Sequence, residues 1–116
     1  MSTAIIANLE RLLGGPRDNA LLRYALGNEY LKTGQISNAI IHLYAATQRD
    51  ATYSAAWKLL GRALSEDGQI AEALTAYEKG IAVAEGRGDV QAAKEMTVFA
   101  RRLRRQLAEG GAGTTE

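Results

Sequence analysis

Residues 57–81 read WKLLGRALSEDGQIAEALTAYEKGI, and residues 23–47 read RYALGNEYLKTGQISNAIIHLYAAT. These are two copies of one signal. Leu26-Gly27 recurs as Leu60-Gly61, Gly34-Gln35-Ile36 as Gly68-Gln69-Ile70, and Ala39 as Ala73, each 34 residues later. A fixed period of this length marks stacked helical hairpins, none of which can bury its apolar face without a neighbour. The expected fold class is therefore all-α: a right-handed stack of about six helices, with a groove that receives extended chains or helices.

The motif within the period is more specific. The second copy is Trp57-x2-Leu60-Gly61-x2-Leu64 followed by Ala73-x3-Tyr77, and the first is Arg23-x2-Leu26-Gly27-x2-Tyr30 followed by Ala39-x3-Leu43. Over residues 20–85 the chain resembles the tetratricopeptide repeat family, with about two repeats. It departs from the family pattern in having Arg23 at the tryptophan position, Leu43 at the last aromatic one, and Ala51 and Glu85 where a proline usually follows the second helix. The resemblance implies a protein–protein interaction module. It does not name the partner, because the family serves many unrelated ones.

Helical periodicity and stop signals divide a single domain, 1–109, into four parts. An N-terminal helix, 3–14, carries Ile5, Ile6, Leu9, Leu12 and Leu13 on one side and stops at Gly14-Gly15-Pro16. Repeat 1 spans 20–51, with Asp18 or Asn19 as its cap, and repeat 2 spans 54–85, opened by Thr52. A capping helix, 89–108, starts at Asp89 and turns Val90, Ala93, Met96, Phe99, Leu103 and Leu107 inward. Residues 110–116 are glycine-rich and polar, and a disordered tail is expected there. The N-terminal helix reads equally as a cap or as the second half of a degenerate repeat, since one period back from Ala39 and Leu43 lands on Ile5 and Leu9. Gly27 and Gly61 sit inside helices, where glycine costs about 1 kcal/mol relative to alanine. Helix crossings explain them, with Ala39 and Ala73 as the small residues expected opposite.

Composition excludes several classes. With 116 residues the chain can bury about 65% of its unfolded surface. A net charge of +1 gives no global field toward nucleic acid or anionic membrane. The chain has no cysteine, so disulfides, thiolate metal sites and a cysteine nucleophile are out. His42 is the only histidine; flanked by Ile41 and Leu43, it reads as half-buried and structural, with neither a metal cluster nor a catalytic triad around it. No cofactor, metal site or catalytic residue is expected, and the chain reads as no enzyme. The N-terminus lacks a secretion signal, and no run approaches the ~18 apolar residues of a membrane span; a cytoplasmic location is expected.

Helix spacing separates two stripes on the first helix of repeat 1. Leu22, Leu26 and Tyr30 belong to the core. Leu21, Tyr24, Asn28, Leu31 and Lys32 form a second stripe about 100° away, which by resemblance to the family faces the groove. Its counterpart in repeat 2 is Ala55, Lys58, Arg62, Ser65 and Glu66. The predicted partner-binding set is Leu21, Tyr24, Asn28, Leu31, Lys32, Lys58, Arg62 and Ser65. Two cations one turn apart, an amide and an aromatic suit an acidic peptide or a free C-terminus; the plainer reading is a solvated helix face. Some members of the family clamp the C-terminal carboxylate of heat-shock chaperones, but of those clamp positions only Asn28 matches.

Two alternatives are kept. Exposed Leu, Met or Phe on the capping helix would allow a homodimer. Arg101, Arg102, Arg104 and Arg105 would allow RNA binding, although no interleaved aromatics favour it. Arg87-Gly88-Asp89 is read as a turn followed by an N-cap.

Overall fold

The structure, a computed structural model, describes residues 2–114. Six helices follow in order: α1 (Ser2–Glu10), α2 (Ala20–Lys32), α3 (Ile36–Arg49), α4 (Ser54–Glu66), α5 (Ile70–Gly86) and α6 (Val90–Thr114). No strand occurs among the described residues. Consecutive helices pack pairwise. In addition α2 touches α4 and α4 touches α6, whereas α3 and α5 do not meet. The helices α2, α4 and α6 thus form an inner row, and α3 and α5 stand behind it. The radius of gyration is 15.2 Å, against about 13 Å for a compact chain of this length, as a layered stack requires.

Each hairpin turn is closed by the same local device. Gly34 and Gly68 take φ of 76° and 83°, a left-handed conformation that side chains with a Cβ avoid. The next residue then reaches back: Gln35 N donates to Tyr30 O, and Gln69 N donates to Leu64 O, both at 2.9 Å. This closure satisfies carbonyls that the helix end would leave bare. The repeated Gly-Gln-Ile is therefore a helix stop followed directly by a helix start.

The two helices of each hairpin cross at the interior glycines. A Cβ on Gly27 would stand 2.4 Å from Leu43 Cγ, and one on Gly61 would stand 2.8 Å from Tyr77 Cζ. The residues opposite are thus Leu43 and Tyr77, not the expected Ala39 and Ala73. Glycine leaves a notch, and a large side chain fills it better than a small one. Ala39 and Ala73, both fully buried, lie one turn nearer the hairpin loop. A third notch was not anticipated: a Cβ on Gly80 would meet Met96 Sδ at 2.5 Å and Trp57 Cβ at 2.9 Å. It lets α5 lie close to both α4 and α6.

The helix starts differ in chemistry. Asn19 Oδ1 accepts from Leu22 N at 2.9 Å, and Asp89 Oδ1 accepts from Ala92 N at 3.1 Å, both N-caps. Thr52 does not open α4; Tyr53 holds that position and contributes no side-chain cap. The Thr52 hydroxyl is engaged elsewhere, donating to Asp50 Oδ1 at 2.6 Å while Thr52 N donates to the same oxygen at 3.0 Å. Each hairpin is also tied shut at its open end. Arg49 Nη1 donates to Asp18 O at 3.1 Å, and Arg87 Nη1 donates to Thr52 O at 2.9 Å.

At the N-terminus α1 ends at Glu10, short of the expected 14, and packs on α2 through buried Ile6 and half-buried Leu9, while Leu12 and Leu13 of the following turn also pack against the core. Ile5 departs from the expected stripe and is 45% exposed. At the other end α6 runs to Thr114, past the expected boundary at 108. No proline after Val90 removes a backbone N–H donor from the helix. Among the residues whose burial is described, the last one that helix buries is Leu103. Of the expected tail, residues 115–116 lie outside the described residues.

Two substitutions separate packing from propensity. Gly27→Leu should overpack the α2–α3 crossing and lower stability by roughly 1–3 kcal/mol. Leu26→Ala, at a fully buried position, should cost about 2–5 kcal/mol. Urea unfolding followed by circular dichroism measures both.

Candidate functional site: the concave groove

The inner row encloses a groove of about 650 Å³. Ala55, Lys58, Leu59, Arg62, Ser65 and Glu66 of α4 form its floor, a stripe at i, i+3, i+4 and i+7 spacing. Tyr24 of α2 closes one side, and Phe99 and Arg102 of α6 the other. Tyr77 of α5 also reaches the groove, from the outer row.

Charges in the groove are partly neutralised from within. Lys58 Nζ donates to Glu95 Oε1 at 2.5 Å, joining α4 to α6. The hydrogen bond from Lys58, and then its charge, holds the Glu95 carboxyl below the usual carboxylate range. Arg62 pairs with Glu66 one turn along at 3.4 Å. Arg102 lies over the Phe99 ring at 5.9 Å and has no carboxylate partner among the described residues. Aromatic pairs flank these cations: Tyr24 against Tyr53 at 5.0 Å, and Tyr77 against Phe99 at 5.5 Å. Burial pushes the Tyr77 phenol up to about 12, with Arg62 and Arg102 acting against the rise and Glu66 with it. The phenol is therefore a neutral donor at physiological pH.

Of the eight residues expected at the groove, four line it: Tyr24, Lys58, Arg62 and Ser65. Leu21 is 66% exposed and borders a separate depression with Tyr53, Arg87 and Asp89. Asn28, Leu31 and Lys32 are not among the lining residues. Leu31 packs against the core, and Lys32 pairs with Glu29 at 3.2 Å. The α2 stripe diverges because the groove centres on α4 and takes only the nearest turn of α2.

Leu59, Tyr77, Phe99 and Arg102 were not foreseen as groove residues. Phe99 reads as core and Arg102 as part of a solvated cap when α6 is taken as a lid. The signal lay in the spacing: helix starts at Asn19, Tyr53 and Asp89 are 34 and 36 residues apart, so α6 continues the inner row after a two-residue insertion. The arginines of α6 do not form one patch. Arg101 borders an outer depression with Val90 and Val98, Arg102 enters the groove, and Arg104 pairs with Glu78 of α5 at 3.1 Å. Of the apolar residues expected to support a homodimer, Met96 and Leu103 are buried, Phe99 is half-buried, and Leu107 is 39% exposed.

This geometry meets independent support from known proteins. The tetratricopeptide repeat family model matches residues 30–96, more than half of the chain. The chain belongs to the tetratricopeptide repeat family. A TPR repeat-containing protein of Pseudomonas aeruginosa is 48% identical over 101 residues, covering 87% of this chain and 96% of that protein. The solution structure of protein BPP2914 from Bordetella parapertussis superposes with a TM-score of 0.74 at 47% identity, covering 88% of this chain and 89% of that one. The Sgt2 TPR domain from Aspergillus fumigatus superposes with a TM-score of 0.81 at 28% identity, over 97% of this chain and 72% of that one. The tetratricopeptide fold serves protein–protein interaction, and the groove is the concave face of that fold. No helix among the described residues is long and apolar enough to cross a membrane.

Away from the groove, a polar network replaces the tryptophan that repeat 1 lacks. Arg23, at that position, donates to both carboxylate oxygens of Asp18 at 2.8 and 3.0 Å and approaches His42 Nδ1 at 3.4 Å. The Asp18 side chain, 7% exposed, also accepts from Gly14 N at 2.9 Å and lies 3.6 Å from Arg49. These partners, the Arg23 hydrogen bond foremost, hold its carboxyl far below the usual range. His42 stacks on Tyr30 at 5.5 Å, and Tyr30 in turn donates to Glu10 of α1. Burial, and then the charge of Arg23, lowers the His42 pKa, and the weaker pull of the Glu10 and Asp18 charges opposes them.

The sign of the pH dependence follows. A histidine whose folded pKa lies below its unfolded value binds its proton more readily when unfolded, so stability falls as pH drops below about 6.5. The urea midpoint should decline from pH 7 toward the folded pKa, and His42→Asn should flatten that segment. Asp18, depressed, acts lower: its contribution is present above about pH 4 and is lost as pH falls further.

Proposed function

We propose that this tetratricopeptide repeat protein is a non-enzymatic adaptor, acting as is typical of the family in the cytoplasm, that docks a peptide or protein segment in its concave groove. The segment presents an acidic side chain or a free C-terminal carboxylate. The observation that carries this reading is the gathering of Lys58, Arg62 and Arg102 with Tyr24, Leu59 and Phe99 in one groove. Cations supply charge-assisted hydrogen bonds, and the aromatic and leucine surfaces supply apolar area.

The internal ion pairs bear on strength. A ligand carboxylate must compete with Glu95 for Lys58 and with Glu66 for Arg62. The groove is short, and the segment loses conformational freedom on docking. An affinity around micromolar, about −8 kcal/mol, is expected. The family's chaperone clamp is a poorer model for the site. Of its positions only Asn28 matches, and Asn28 does not line the groove.

The test reverses charge on the floor. Lys58→Glu with Arg62→Glu should abolish binding of a partner segment while lowering stability by less than about 1 kcal/mol, because both pairs are substantially exposed. Amide-shift titration with the partner reads the face directly. Shifts confined to α3 and to residues of α5 and α6 other than Tyr77, Phe99 and Arg102 would refute the groove as the docking surface.

A further inference from the structure

We infer that the groove contains a dedicated carboxylate subsite in which the Tyr77 hydroxyl, Arg62 and Arg102 hold one carboxylate of the docked segment. This deepens the groove reading of the preceding subsection and rests on it. Tyr77 belongs to the outer row and is only 4% exposed, yet it lines the groove. The notch at Gly61 makes that possible. Tyr77 Cζ and Cε1 stand 2.8 Å from where a Cβ on Gly61 would sit, so the ring passes against bare backbone beside Arg62. Repeat 1 has Leu43 at the equivalent crossing and carries no polar atom there.

The hydroxyl itself is unpartnered. Among the described residues it makes no hydrogen bond, although every fully buried side-chain nitrogen or oxygen has a partner. Tyr77 is 4% exposed and lines the groove, and its unpartnered hydroxyl, which is not among the fully buried atoms, is the one polar side-chain group it can offer there. Its surroundings give the ligand a sign. Arg62 and Arg102 both border the same depression, Arg102 without a carboxylate partner among the described residues, and the Phe99 ring lies beneath Arg102 and beside Tyr77. Two guanidinium groups and a neutral phenolic donor match a carboxylate, which only accepts. Glu66, paired to Arg62 at 3.4 Å, is then a built-in competitor for the incoming group.

The test uses the full chain and small probes. N-acetyl-leucine presents a terminal carboxylate, and N-acetyl-glutamate α-amide presents a side-chain one; N-acetyl-leucine amide presents none. In amide-shift titrations at least one carboxylate probe should move the signals of Gly61, Arg62, Tyr77 and Arg102, and the amide should not. The tighter of the two carboxylates identifies the source. Tyr77→Phe keeps the ring in its notch and should weaken the carboxylate roughly three- to tenfold, as should Arg102→Gln. Glu66→Gln should tighten it by about twofold or more, a gain that no folding defect produces. Equal response to acid and amide, or unchanged affinity in Tyr77→Phe and Arg102→Gln, overturns the subsite. If a partner segment still shifts Tyr24 and Leu59 in that case, the groove reading stands without it.

Discussion

Each hairpin depends on one large side chain seated against bare backbone. Leu43 occupies the notch at Gly27, and Tyr77 the notch at Gly61. Dispersion falls off within a fraction of an ångström, so this approach gives the crossing its packing density. The conformational penalty of glycine within a helix is thereby offset by contacts that alanine would prevent. Gly80 repeats the arrangement where α5 meets Trp57 and Met96, so close approach at glycine recurs between α2 and α3, α4 and α5, and α5 and α6.

That constraint reaches the groove. Because Gly61 has no side chain, an outer-row residue can project between inner-row helices and emerge in the groove. The same fold requirement therefore produces apolar filler in one repeat and a polar group in the next. The inner row then sets the remainder: α4 supplies the floor, Tyr24 one side, Phe99 and Arg102 the other. Ion pairs within the groove stop it from acting as a simple basic patch. Lys58 and Arg62 are held by Glu95 and Glu66.

Much of the architecture was legible from residue spacing. The period linking Leu26-Gly27 to Leu60-Gly61 announced the hairpins, and Gly34 and Gly68 marked their turns, since a left-handed position leaves few alternatives to glycine. Asn19 and Asp89 could be read as caps for similar local reasons. Thr52 could not, because its hydroxyl bonds to Asp50 two residues earlier, and that competition leaves no trace in a capping pattern. The groove was half legible. Lys58, Arg62 and Ser65 follow from one helical stripe, whereas Asn28, Leu31 and Lys32 share a stripe with Tyr24 and do not line the groove.

The sequence by itself determined the helices, their pairing and the family, because these depend on neighbours within a turn or within one period. Only the tertiary structure decided which side chains meet across the groove. Phe99 and Arg102 joined Tyr77 through the rotation of α6, which follows a two-residue insertion and the packing of Met96 at Gly80. Likewise Lys58 found Glu95, 37 residues away, only once α4 and α6 lay side by side. Helical phase accumulates about 100° per residue, so a small insertion redirects every later side chain while leaving the local pattern unchanged.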